Sequence, residues 1–168
     1  MKRFLLQIIL TIPVILFVSC ASAKQDDMSE KAMFVLIYDG SNTGLSGVKV
    51  FVTKEDDGER QFLGTSDING HFFMILKERT NYTLSLEKDG YESASKFFEF
   101  RGMTGLYFRL LTVDDLLSEA EKALDVRNYS KALAYCNRAF ALDDTRKDTA
   151  FLQKIILNKI DKKGAKNE

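Results

Sequence analysis

Chemistry in a protein needs a nucleophile, a tunable acid or base, or several ligands converging on a metal. In this chain His71, Cys20, Cys136 and the acidic stretch Asp67-Ile68-Asn69-Gly70 are the places to look for it. His71 is the only histidine, one residue past that stretch, and no Ser, Cys or Asp arrangement surrounds it. It reads as a strand residue beside a turn. The Asp67–Gly70 stretch has the opening ligands of a calcium loop but lacks the third oxygen ligand and the closing Glu, so it reads as a hairpin turn. Cys136 lies on an apolar helical face with no second cysteine or histidine near it, which makes it a small core residue rather than a ligand. No Gly-rich phosphate loop precedes a helix, and the spacing assigns no pair of carboxylates to a common catalytic face. The expectation is a protein without catalytic residues, cofactor or metal.

Cys20 has a different chemistry, set by what precedes it. Lys2 and Arg3 give a positive start, and Phe4–Val18 is apolar apart from Gln7, Thr11 and Pro13. Small and polar residues follow at once, the order of an export signal. At about 1.5 Å per residue the apolar run spans roughly 23 Å as a helix, short of a ~30 Å hydrocarbon core. Removal is therefore expected over retention. Phe17-Val18-Ser19-Cys20 resembles a bacterial lipobox, although Leu is usual where Phe17 stands. That resemblance implies cleavage before Cys20, which then carries the lipid. Ala21-Ser22-Ala23 resembles an ordinary secretory cleavage site and stays open as the alternative. Ala21 and Ser22 lack the acid that holds enterobacterial lipoproteins at the inner membrane, so an outer membrane is favoured. Residues 20–31 then form a tether.

The whole chain balances 24 basic against 24 acidic residues, and loss of Lys2 and Arg3 leaves the remainder slightly acidic. No basic excess suggests a nucleic-acid partner. With Cys20 modified, Cys136 has no disulfide partner, so the core must hold by packing alone.

From residue 32 to 110 the pattern has period two or short apolar runs. It gives seven strands: Met33–Tyr38, Val48–Lys54, Arg60–Ser66, His71–Leu76, Tyr82–Glu87, Ser95–Phe100 and Gly105–Leu110. Clusters such as Asp56-Asp57-Gly58 and Asp89-Gly90 separate them as turns. Val48, Val50 and Val52 alternate with Lys49, Phe51 and Thr53, the mark of strands buried on one face. Seven such strands predict an antiparallel β-sandwich. Gly47-Val48-Lys49-Val50, the run Gly64 to Phe72, Tyr82-Thr83-Leu84-Ser85-Leu86 and Lys88-Asp89-Gly90-Tyr91 resemble the carboxypeptidase regulatory-like family of prealbumin-like sandwiches. That resemblance implies a scaffold or binding module with no catalytic residues to carry over.

At Thr112 the period changes. Leu116, Leu117, Ala120, Ala123 and Leu124 share one helical face, with Thr112 or Asp114 as the cap. A second helix is expected over Ser130–Leu142, burying Ala132, Leu133, Cys136, Ala139 and Phe140. A third runs over Lys147–Ile160 through Ala150, Phe151, Ile155, Ile156 and Ile160, and residues 161–168 form a charged tail. Ala120, Tyr129, Ala132 and Ala139 resemble the close-approach positions of a tetratricopeptide repeat, with Arg127 where its turn glycine usually stands. One repeat is fewer than a stable array needs. The helices of residues 112–160 are therefore expected to lean on the sandwich or on a partner.

The fold class is thus α+β by segregation: a seven-stranded antiparallel β-sandwich, then a three-helix tetratricopeptide-like segment. Phe97, Phe98, Phe100, Tyr107 and Phe108 concentrate aromatic rings near the junction. Phe97 and Phe98 are adjacent and must point to opposite faces; the outward ring is expected under the helices. Leu117 and Leu124 are the other candidate contacts, because a lone repeat leaves them uncovered. The functional expectation is a non-catalytic envelope lipoprotein that binds a protein partner, with a carbohydrate- or peptidoglycan-binding module as the alternative. A paired aromatic strip on the sandwich favours a glycan, and an apolar groove on the helices favours a protein.

Overall fold

Alternating apolar residues separated by Gly, Asn and Asp turns fold into two stacked sheets. The computed structural model describes residues 29–102 and 105–164. The strands are β1 (Glu30–Tyr38), β2 (Lys49–Lys54), β3 (Arg60–Thr65), β4 (His71–Lys77), β5 (Thr80–Glu87), β6 (Ala94–Phe100) and β7 (Gly105–Arg109). One sheet has the order β4-β1-β7 and the other β3-β2-β5-β6. Their inward residues, among them Met33, Val35, Ile37, Val50, Leu84, Leu86 and Phe100, form one core between the layers. The domain is a β-sandwich.

Two expectations about it change. The sheets are not wholly antiparallel, because β7 runs parallel to β1 with Val35 opposite Leu106. β7 arrives from β6 in the other sheet rather than through a hairpin from its neighbour, and only such a crossing permits a parallel pair. The Asp67–Gly70 turn likewise joins strands of different sheets, since β3 pairs with β2 and β4 pairs with β1. Gly70 (φ +77°) is needed there: a Cβ would lie 2.2 Å from the Ile37 carbonyl oxygen.

The helices are α1 (Val113–Asp125), α2 (Tyr129–Leu142) and α3 (Lys147–Gly164). Thr112 caps α1 and forms a capping box with Asp115. At its other end the Asn128 N–H donates to the Ala123 carbonyl at 2.8 Å and the Arg127 N–H to Leu124 at 2.9 Å. This is the pattern of a left-handed helix stop, and Arg127 takes φ +57° to make it. Asn128 then caps α2 by accepting from the Lys131 N–H.

Ala120, Ala123, Ala132, Cys136 and Ile156 make the main helical cluster. Phe140 is exposed rather than buried, and so is Phe151, at 67%. On α3 the packed stripe is Thr149, Leu152, Ile156 and Ile160. Ala150 and Phe151 offered a rival stripe, and contact with α2 chose between them. The expected charged tail starts inside α3, because nothing before Gly164 stops the helix. Among the described residues no helix is long and apolar enough to cross a membrane. The expected signal, Cys20 and most of the tether lie outside the described residues.

Candidate functional site

Of the residues first considered for chemistry, His71, Cys136 and the Asp67–Gly70 turn lie among the described residues, and each has a structural role there. The Asp67 carboxylate accepts from the N–H groups of Asn69 at 2.9 Å and His71 at 2.7 Å, which closes the turn. His71 Nδ1 stands 4.0 Å from Asp67, both half exposed. Cys136 is fully buried in the helical cluster, and burial pushes its thiol above the ordinary range, with the Glu121 carboxylate adding to the effect. A thiol so placed is a weak nucleophile. Among the described residues no group of three or more His, Cys, Asp or Glu side chains could hold a metal ion.

The candidate contact residues separate. Phe98 turns into the sandwich core, with its ring 6.1 Å from that of Tyr82. Phe97 points outward and is 59% exposed, so the helices do not cover it. The reason is connectivity: the chain leaves the sandwich from β7, in the opposite sheet. Leu110 closes the sandwich core, while Leu111, Val113 and Leu116 open a helical cluster. The helices are fixed at that end by the Glu92 N–H donating to Leu111 at 2.9 Å and by Arg138, whose guanidinium grips Glu92 through Nε at 3.0 Å and Nη2 at 2.6 Å. Gly40 packs so closely that a Cβ there would lie 2.1 Å from the Asp115 carboxylate.

Leu117 and Leu124 are both half-buried among the helices. Leu117 touches both helical clusters, whereas Leu124 touches one. Leu117→Ala is therefore expected to destabilise the fold by about 1–2 kcal/mol, below the range for fully buried leucines, and Leu124→Ala by less. Denaturation midpoints of the two variants check the order.

One outward apolar cluster is built on residues of β1 and β4 that the sequence reading did not single out. β1 and β4 are apolar on both faces. With Met33, Val35, Ile37, Met74 and Leu76 inside, Phe34, Phe73 and Ile75 must face out, joined by Tyr107 of β7. These four are 50–70% exposed. Phe34 and Phe73 are cross-strand partners with ring centroids 5.0 Å apart at 66°, edge to face. The other sheet carries a smaller outward pair, Phe51 and Phe62, with the Arg60 guanidinium 3.8 Å above the Phe51 ring. The available signal was the near-continuous apolar run in β1 and β4, which marks strands meant to be covered on both sides.

No protein-family model matches the chain, and no curated protein does. Solved structures resemble about half of it. The 3-chlorocatechol 1,2-dioxygenase of Rhodococcus opacus 1CP is 14% identical over 52% of this chain and 62% of its own, with a TM-score of 0.40. The major pilin subunit of Bacillus cereus is 17% identical over 50% of this chain and 29% of its own, at 0.41. A shaft pilin of Lactobacillus rhamnosus GG is 16% identical over 50% and 47%, at 0.37. The match spans less than two thirds of each of these proteins. A dioxygenase and two pilins at so loose a likeness say nothing about activity.

Proposed function

We propose that this chain is a cell-envelope lipoprotein, held on the non-cytoplasmic side through an acylated Cys20, that acts as a non-catalytic protein-interaction or assembly module. The anchor rests on the order of charge, apolar run and small residues that ends at Cys20. The observation that carries the interaction reading is the outward cluster of Phe34, Phe73, Ile75 and Tyr107 on one sheet face. Exposed apolar residues scattered singly need no explanation, but a contiguous cluster marks a surface that something covers. α1 and α2 are read as a single tetratricopeptide-like pair, with Ala120, Ala132 and Ala139 fully buried where the helices approach. Arg127 supplies the left-handed turn usually left to glycine.

The double variant Phe34→Ser, Ile75→Ser leaves the inward residues of β1 and β4 untouched and is expected to fold. Pull-down from solubilised envelopes, read by mass spectrometry, should lose its specific partner with that variant. An unchanged profile would move the interaction off this face. The glycan reading has one observation in its favour, the paired rings of Phe34 and Phe73. Their edge-to-face angle gives a sugar no shared flat platform, and Ile75 offers it no hydrogen bond. Co-sedimentation with insoluble peptidoglycan that is lost in Phe34→Ala would reverse the preference.

A further inference from the structure

The two sheets are unequal, and the difference leaves a place for a strand. β4 pairs with β1 along one edge, and no strand among the described residues pairs with the other. Beneath that free edge, β3 extends as a shelf. Gln61 lies opposite Val52 in the β2–β3 ladder and so points inward, yet it is exposed, and inward Leu63 is only half-buried. No strand among the described residues covers them. The space above is an open cleft of about 880 Å³, lined by every residue of β4 from Phe72 to Lys77 and floored by Val52, Gln61, Leu63 and Tyr82. Six consecutive lining residues mean that the backbone edge itself, and not one face, borders the cleft.

Native sheets protect such edges with charge, proline, bulges or brevity. The shelf strand β3 carries a register shift and begins at Arg60, β6 carries Lys96 and Glu99, and β7 is five residues long. β4 carries a charge only at its last residue, Lys77, and has no proline and no bulge. Its register with β1 is regular over seven pairs, and Phe72–Leu76 is apolar throughout. In the free protein this is an aggregation hazard, and a partner strand removes it.

We infer that the vacant position beside β4 is a strand-addition site, which takes an extended peptide of a partner protein as the fourth strand of the three-stranded sheet. The inference rests on the protein-interaction reading and gives it a partner class. Asp67 already takes both backbone groups of His71, and the Tyr82 hydroxyl accepts from the Lys77 N–H at 3.2 Å. The N–H and C=O groups of Phe73 and Ile75 therefore supply the pairing, and alternate side chains of the peptide settle on Leu63 and Val52. A second copy of this sandwich does not fit by pairing β4 with β4. The two-fold axis would bring its own second sheet into the place held by β3 and β2. The cleft also defines the peptide. Its charged residues, Lys54, Asp57, Glu59 and Lys77 among them, gather where β4 ends and β3 begins. The rest of the cleft is neutral, so the fitting segment is apolar at alternate positions and charged only at one end.

The test uses the chain from Cys20 onward with Cys20→Ser, so that binding is read independently of the anchor. The probe is a fluorescent peptide of roughly nine residues, alternating Val and Thr with a Lys at one end. It is followed by anisotropy and by amide exchange of the protein. Binding should slow exchange in β4 and weaken about tenfold or more when alternate peptide amides are N-methylated, since that removes donors without changing side chains. Gln61→Trp, a change at an exposed position, should fill the cleft and abolish binding, while Phe97→Ser on the far sheet should not alter it. Absence of binding, or binding that leaves β4 exchange unchanged, overturns the site. So does β4 protection without peptide that vanishes when residues 20–28 are removed, because the chain would then occupy its own edge. None of these failures touches the anchor or the outward face of Phe34 and Phe73, which are tested separately.

Discussion

Cys20→Ala is expected to abolish labelling by a fatty-acid probe and to move the protein from the membrane to the soluble fraction. The effect should be near complete, because nothing else in the described residues can replace the anchor. The helices are too short or too polar to span a bilayer. Exposed Phe34 and Ile75 alone give at most weak interfacial binding. A single acyl chain holds a protein only marginally, and stable anchoring takes a second chain or another signal. Lipoproteins of the kind resembled here carry more than one chain. If the variant stays in the membrane fraction, the lipid anchor is wrong, and cleavage after Ala23 or an uncleaved apolar segment takes its place.

The second large effect appears when the two halves are separated. Lys31–Leu110 is expected to fold alone as a cooperative β protein, and Thr112–Glu168 to be poorly helical in isolation. The buried clusters divide cleanly between Leu110 and Leu111. On the sandwich side stand fully buried Phe100, Met33, Ile37, Leu84, Leu86 and Leu110; among the described helical residues only Leu116, Ile156 and Thr149 belong to that class of large enclosed side chains. Burying one such aliphatic side chain stabilises by about 1.5–3 kcal/mol, whereas ordering each residue costs about 1–2 kcal/mol in backbone entropy. The helical fragment, built largely on alanines, falls short. It also loses Leu111 and the Arg138–Glu92 grip that fixes it to the sandwich. Circular dichroism and thermal melts of the fragments check both halves, and a cooperative melt of the helical fragment would contradict the account.

Much of this architecture can be read from local pattern. The seven strands follow from period-two alternation stopped by Asp, Asn and Gly, because those residues set backbone angles without help from distant contacts. Thr112 with Asp115 and Asn128 mark helix ends for the same reason: a cap is closed by side chains and N–H groups within three residues. The register of α3 was less legible. Phe151 and Ile156 lie on different stripes of one helix, and only the surface of α2 selects the second. The same limit applies to Phe97 and Phe98. Alternation says that one must leave the core, while connectivity from β7 decides that the helices do not cover it.

The sequence by itself determined that the chain has a β half and an α half, and where they meet. These are consequences of spacing, and spacing is local. The tertiary structure decided which strands are neighbours. Pairing β1 with β7 in parallel, and leaving β4 at the edge above an overhanging β3, requires chain segments more than thirty residues apart to choose one another. That choice puts Phe34 and Phe73 on an open face and opens the cleft beside Phe72–Lys77. A run such as Phe72-Phe73-Met74-Ile75-Leu76 states only that both faces want cover. Whether a neighbour in the same chain supplies it is settled by the packing of the whole domain.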